Sequence, residues 1–277
     1  MKETMSWSRF LSSSLLIVLT ALAIVYSYLF IVVVVLLTAG GLYEFFYMVK
    51  KKDVPIYSYT GIFIGVLIPI SIFTHFEPTH NWELLFIVIG FLLILFMQFA
   101  RQDNRHAILG LSTTLFGVLY VAWFFSFLVK IRNLLPGMDG VKLVGFILLV
   151  TKSADMGALL IGTNFGKHPL LSKVSPNKSI EGTVGGVLVS ACVALIFRSF
   201  LPPALDLPRW QIFLMGAFFG GLGQLGDLSE SLIKRDCGVK DSGKLLPAMG
   251  GVLDVIDSLL FSAPAFYLYI SSALTMH

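Results

Sequence analysis

The chain has 277 residues, of which 56% are hydrophobic and only 13% charged, a balance that excludes an ordinary soluble domain and points to an integral membrane protein. Its formal net charge of +4 suits anionic lipid or an anionic substrate. The two cysteines, Cys192 in an apolar run and Cys237 in a polar one, are too few and too differently placed for a disulfide framework or a thiolate metal site.

A helix crossing the hydrocarbon core needs about 20 apolar residues. Runs of that kind, bounded by charge, Pro or Gly, predict nine spans at 10–26, 28–48, 59–75, 83–100, 107–129, 141–161, 183–201, 211–226 and 253–273. The first two form one nearly continuous run, split here around Tyr26, Ser27 and Tyr28, and no cleaved signal peptide is expected because no small-residue cleavage site follows a short apolar core. Nine spans gather most Lys and Arg residues on one side, from Lys2, Arg9 and Lys50 to Lys234, Arg235, Lys240 and Lys244, and leave only Lys130, Arg132, Lys142 and Arg209 on the other. The positive-inside rule then places the N-terminus in the cytoplasm and the C-terminus outside. The expected fold is all-α, a polytopic membrane protein of about nine helices. Residues 1–140 supply N-terminal transmembrane helices and 141–277 the catalytic C-terminal helices with their cytoplasmic loops, together one continuous membrane domain.

Along the chain, Glu44 near the end of the second span and Arg101 with Arg105 in a short loop read as interfacial anchors. His75, Glu77 and His80 fall on the outer side, remote from every other polar cluster. Residues 151–182 are richer in chemistry. Lys152 and Asp155 stand one turn apart inside an apolar span, where ionisable residues are costly and mark candidate functional sites; a mutual ion pair serving the fold is the plainer explanation. Gly162, Gly166 and Gly182 then alternate with Lys167, Lys173 and Lys178, and Ser175-Pro176 predicts a turn.

The densest charge lies at Lys234–Asp257, KRDCGVKDSGKLLPAMGGVLDVID, with Asp227 closing the preceding span. Asp254 and Asp257 are three apart and so share a helical face. Carboxylates that converge at an interface repel one another unless protons or cations intervene, and oxygen ligands of this kind suit Mg²⁺; alternatively, both aspartates simply complement the positive end of a helix. Lys234, Arg235, Lys240 and Lys244 interleave with glycines that let a backbone approach a phosphate. Carboxylates for metal together with cations for phosphate describe a nucleotide triphosphate or pyrophosphate site, whereas the cations alone would fit a solvated cytoplasmic loop.

This stretch resembles the signature of the phosphatidate cytidylyltransferases, or CDP-diacylglycerol synthases, S-x-x-K-R, four residues, K-D, five residues, P-x-H-G-G-x-x-D-R-x-D. Ser231, Lys234, Arg235, Lys240, Asp241, Pro247, Gly250, Gly251, Asp254 and Asp257 match it in type and spacing, and Met249 and Val255 stand where the family usually has His and Arg. The segment with Asp155-Met156-Gly157-Ala158, Phe165-Gly166-Lys167-His168, Ser175-Pro176, Lys178 and Glu181-Gly182 is similar to the family as well. The resemblance covers roughly the C-terminal half.

It implies cytidylyl transfer from CTP to phosphatidate in a cytoplasmic (inner) membrane, with the active site facing the cytoplasm. Asp227, Asp254 and Asp257 would hold Mg²⁺, with room for a second cation, and Asp241 and Lys240 would complete the catalytic group. Lys167, Lys178, Lys234, Arg235, Ser175, Ser231, Gly250 and Gly251 would bind triphosphate or lipid phosphate, and Lys152 and Asp155 would lie deeper, near the lipid head group. The partners expected are CTP, phosphatidate and the bilayer, with no nucleic acid; a homodimer is a family-level expectation. Two rivals share these features: a CTP-dependent lipid kinase, and an ion-coupled transporter using Lys152 and Asp155.

Overall fold

A computed structural model describes residues 20–76, 82–101, 104–205, 207–243, 245 and 250–275. Among the described residues, a short helical stretch over 20–25 is followed by eight longer helices in chain order: α1 Ser27–Lys50, α2 Ser58–Phe73, α3 Trp82–Phe99, α4 Ala107–Leu134, α5 Met138–Phe165, α6 Ile180–Ile196, α7 Arg209–Asp236 and α8 Val252–Thr275. Five are long and apolar enough to cross a membrane, and three more apolar helices are shorter. The expected polytopic helical fold is present. The predicted span 10–26 falls mainly outside the described residues, but the helix over 20–25 breaks at Tyr26, whose backbone is extended (φ −92°, ψ 108°), before α1 begins. The interruption therefore sits where the apolar run was divided.

Three local expectations are corrected. Asp227 does not close a span, because α7 continues to Asp236 and carries Asp227, Ser231, Lys234 and Arg235 on one helix rather than helix and loop. The expected turn at Ser175-Pro176 is instead the start of a strand: β1 Pro169–Leu171 and β2 Ser175–Ser179 form an antiparallel hairpin between α5 and α6. The hairpin pairs backbone groups of this connection with one another rather than leaving them open. Glu44, expected as an anchor at the interface, is buried at 2% exposure.

The C-terminal helices approach closely because small residues face one another. At Gly186 of α6, a Cβ would come within 2.6 Å of the Gln224 side chain on α7, and Gln224 uses its Nε2 to donate to the Thr183 carbonyl of α6 (3.1 Å). At Gly226, a Cβ would overlap the Asp257 carbonyl of α8. That contact sets α8 against α7 at the depth of the acidic residues. The large buried side chains, Phe45, Phe46, Phe125, Phe146, Phe219 and Phe266, fill the bundle across both halves of the chain, so the two halves share one core. Within α4, Val118–Trp123 is a π-helical stretch, which places Tyr120 against Phe45, Phe116 and Phe261.

Candidate active site

A cavity of about 410 Å³ opens between α5, the hairpin, α6 and α7, walled by Asp155, Ser175, Lys178, Gly182, Gln224 and Asp227 among others. Two elements hold its charged wall. From β2, the Lys178 ammonium donates to Asp227 Oδ2 at 2.5 Å. From α5, Lys152 contacts Asp155 at 3.5 Å and donates to the Val255 carbonyl (3.0 Å) and Ser258 Oγ (2.8 Å) of α8. Lys152 and Asp155 thus pair with each other as the plainer reading expected, and also reach the helix that bears Asp257.

Behind Asp227, on the same helical face one turn along, stands Glu230. Oxygens of Asp227, Glu230 and Asp257 all lie within 4.8 Å of one another. Glu230 is fully buried; its Oε2 accepts from Lys234 (2.9 Å), and its Oε1 has no hydrogen-bond partner among the described residues. Asp257 is buried and accepts from the Ser258 amide. Of the five carboxylates here, Asp155, Asp227 and Asp254 each meet a lysine, Glu230 shares Lys234 with Asp254, and no lysine pairs with Asp257 among the described residues. Three buried or half-buried carboxylates sharing two lysines could hold a hard divalent ion, since an unneutralised charge in such a place is costly.

Asp254 sits outside that group. Its Oδ1 accepts from Lys234 (2.6 Å), and its Oδ2 meets Ser242 Oγ (2.9 Å) and the Gly251 amide (2.8 Å). The helix-end preference weighed for this residue is therefore realised in its hydrogen bonds, while Asp257, one turn on, joins Asp227. Gly250 takes φ +94°, a left-handed conformation that favours glycine, and Gly251 is buried beneath Ser242.

The remaining predicted residues lie around the rim. Arg235 is exposed and donates to the Val174 carbonyl of the hairpin (3.2 Å) and to Val239 O (3.3 Å). Lys167 is exposed, and its amide and that of His168 donate to Glu181 Oε2 at 3.1 and 3.2 Å, fastening the hairpin to the first turn of α6. Ser231 is half-buried on α7, and Lys240 and Asp241 are exposed in the bend after it. Lys244, Pro247 and Met249 lie outside the described residues. Val255 contributes its carbonyl to Lys152.

Three residues at this site escaped the sequence reading. Glu230 had a signal, because Asp227, Glu230 and Lys234 fall at i, i+3 and i+7 and so share one face once α7 is known to continue. Glu44 had the signal of a lone carboxylate in an apolar run. Tyr120, whose buried hydroxyl has no partner among the described residues and which lies within electrostatic reach of Glu230, Asp257 and Asp227, had none.

The family model described as the cytidylyltransferase family matches residues 7–273. A phosphatidate cytidylyltransferase of Bacillus subtilis is 40% identical over 149 residues, 54% of either chain, so that match spans about half its length. The proteins of that name from Synechocystis and Staphylococcus aureus are 32% and 34% identical over 256 and 218 residues, covering 83% and 78% of this chain and 84% and 79% of theirs.

Proposed function

This chain belongs to the cytidylyltransferase family, and on that premise we propose that it is a membrane nucleotidyltransferase that makes CDP-diacylglycerol and pyrophosphate from CTP and phosphatidate. A phosphate oxygen of phosphatidate forms a bond to the α-phosphorus of CTP, the bond from that phosphorus to the oxygen shared with the β-phosphate breaks, and pyrophosphate leaves. Such a reaction brings anion to anion, so it needs positioning and neutralisation more than covalent help. The observation that carries the reading is the cavity whose wall joins Lys178 to Asp227 and backs onto Glu230 and Asp257.

Asp227, Glu230 and Asp257 are the residues that would hold Mg²⁺, and the unpartnered Glu230 oxygen is the feature that fits it. When bound, the ion supplies charge neutralisation at the reacting phosphates. Asp254, expected beside them as a ligand, serves in this reading to hold Lys234. Lys178 and Ser175 face the cavity and receive phosphate there, while Lys167, Arg235 and Lys240 on the rim attract the outer phosphates, with Asp241 orienting Lys240. Gly250 and Gly251 shape the loop over which the nucleotide lies. Asp155 lines the α5 side of the cavity, beside the exposed Leu159, with Lys152 paired to it from one turn earlier, and a lipid head group arrives there from the bilayer. The site faces the cytoplasm of a bacterial inner membrane, where CTP is available.

Product analysis with CTP labelled in turn at the α- and γ-phosphates tests the reading. Label from the α-position in lipid, with pyrophosphate released, is expected. Label from the γ-position in lipid would make the protein a lipid kinase, and an unaltered nucleotide with CTP, phosphatidate and Mg²⁺ all present would remove the chemistry altogether.

A further inference from the structure

A buried carboxylate of the N-terminal half reaches into the signature stretch. Glu44, on α1, is buried at 2% exposure, and its Oε2 accepts from the Leu253 amide of α8 at 3.0 Å. The Ser242 hydroxyl lies 3.1 Å from that same oxygen and 2.9 Å from Asp254 Oδ2, and donates to one of the two.

The pattern at the start of α8 is half of a capping box. In such a box the residue before the helix offers a side-chain acceptor to an amide of the first turn, while the acidic residue at the third helical position reaches back to the amide of the capping residue. Asp254 is that third residue, and it accepts from the Gly251 amide at 2.8 Å. Gly251, however, has no side chain to return the bond. A Cβ there would overlap Ser242 Oγ and Glu44 Oε2. The missing acceptor comes instead from Glu44, more than two hundred residues away in sequence and bonded to the Leu253 amide.

We infer that Glu44 is a positioning residue of the active site: it completes the cap of α8 from across the bundle and so fixes the turn that presents Asp254 to Lys234 and Asp257 to Asp227. Gly251 is required at its position because Ser242 Oγ and the carboxylate from α1 together occupy the space of its side chain. Its role is distinct from that of a glycine that admits phosphate. The inference rests on the proposed activity only for its kinetic readout.

Two measurements test it on the full-length protein in detergent. In the first, hydrogen exchange is followed in Glu44→Ala. The amides of the first turn of α8 should exchange about tenfold faster, the size expected for loss of a cap, while α5 peptides stay unchanged; unaltered exchange at that turn would overturn the inference. If Glu44→Ala does not accumulate, Glu44→Gln, which keeps the volume and one acceptor oxygen, should show the same change to a smaller extent. The second measurement is a double-mutant cycle in CDP-lipid formation. Glu44→Ala should lower kcat by about tenfold to a hundredfold, as misplacement of catalytic groups does, with KM for CTP changed less than about threefold. Gly251→Ser alone should also be damaging. Combined with Glu44→Ala in a Ser242→Ala background, which removes the hydroxyl that a Cβ at position 251 would meet first, it should restore activity well above the product of the single effects, because the serine supplies the acceptor in place. Multiplicative losses, or a wild-type kcat in Glu44→Ala, would sink the proposal. A wild-type protein without cytidylyl transfer would overturn the proposed activity, and the exchange result would still decide the cap.

Discussion

Lys178 of β2 and Asp227 of α7 meet at 2.5 Å on the wall of the cavity, forty-nine residues apart in sequence. Each is about 30% exposed, so solvent screens the pair and its value as a stabilising bridge is small. A partly exposed ion pair on the wall of a cavity of about 410 Å³ is better understood as a poised one. The lysine is free to turn from carboxylate to phosphate once Asp227 is otherwise neutralised.

Lys178→Gln should therefore fold normally and raise KM for CTP by about tenfold or more, the equivalent of a charge-assisted hydrogen bond of about 1.5–3 kcal/mol. Steady-state kinetics on the purified protein measure this. Unchanged kcat and KM would limit Lys178 to its pairing with Asp227.

Gly226 offers a test of the framework. Its missing side chain lets α7 lie against the Asp257 carbonyl of α8, and that neighbour is backbone, which cannot rotate away. Gly226→Ala should push the helices apart at the acidic cluster, costing about 1–3 kcal/mol as overpacking does and lowering turnover through misplaced Asp257. Thermal unfolding and turnover, measured together, check it. An alanine variant as stable and as active as the parent would show that α7 and α8 slide freely there.

Much of this architecture was legible in the sequence because bilayer-length hydrophobic runs are a strong signal. The break at Tyr26 and the starts of α5, α6, α7 and α8 fell within a few residues of expectation. The C-terminal end of α7 did not, because apolarity stops at Gly226 while the helix continues on charged side chains that pair with one another, Glu230 with Lys234 by an i, i+4 bond. Hydropathy reports where lipid ends, and helix propensity where the helix ends. That same error hid Glu230. The spacing of Asp254 and Asp257 placed both on one face, yet one residue turned back to the helix start and the other forward to Asp227, a distinction set by Gly251 and Ser242 that sequence spacing does not carry. Glu44 was legible only as an anomaly, since its partners lie at the far end of the chain.

The carboxylates make separable predictions about the metal. Activity should vanish in excess chelator and return with Mg²⁺. Asp227→Asn, Glu230→Gln and Asp257→Asn should each cost about a hundredfold in turnover, roughly 3 kcal/mol, and shift the Mg²⁺ concentration giving half-maximal rate upward. Asp254→Asn should lower the rate with a smaller shift in Mg²⁺ dependence, because it acts through Lys234. Titration of Mg²⁺ against rate for the four variants separates these. Equal shifts in all four would make Asp254 a ligand as well, and no shift in any would remove the metal from this cluster.

The last prediction concerns the side of the membrane. Lys52, just after α1, pairs with Asp236 at the end of α7 at 2.6 Å, and Arg235 donates to Val174 in the hairpin between α5 and α6. The connections after α1, α5 and α7 therefore meet on one face of the bundle. That face carries most of the cations, so by the positive-inside rule it is expected to be the cytoplasmic one. A cysteine placed at Lys51 or at Lys173 should be shielded from an impermeant maleimide in intact cells and labelled once the membrane is opened. Of the native thiols, Cys192 is exposed on α6 and needs replacing. Cys237 is buried beside the labelled face, and burial followed by the neighbouring Asp236 pushes its thiol up, against a smaller pull from Lys52 and Lys51. A thiol raised in this way holds little thiolate at neutral pH and reacts slowly, so it gives a low background. Labelling of Lys51 and Lys173 from opposite sides would break the shared face, and labelling of both from outside would invert the orientation and leave CTP on the wrong side of the membrane from its proposed site.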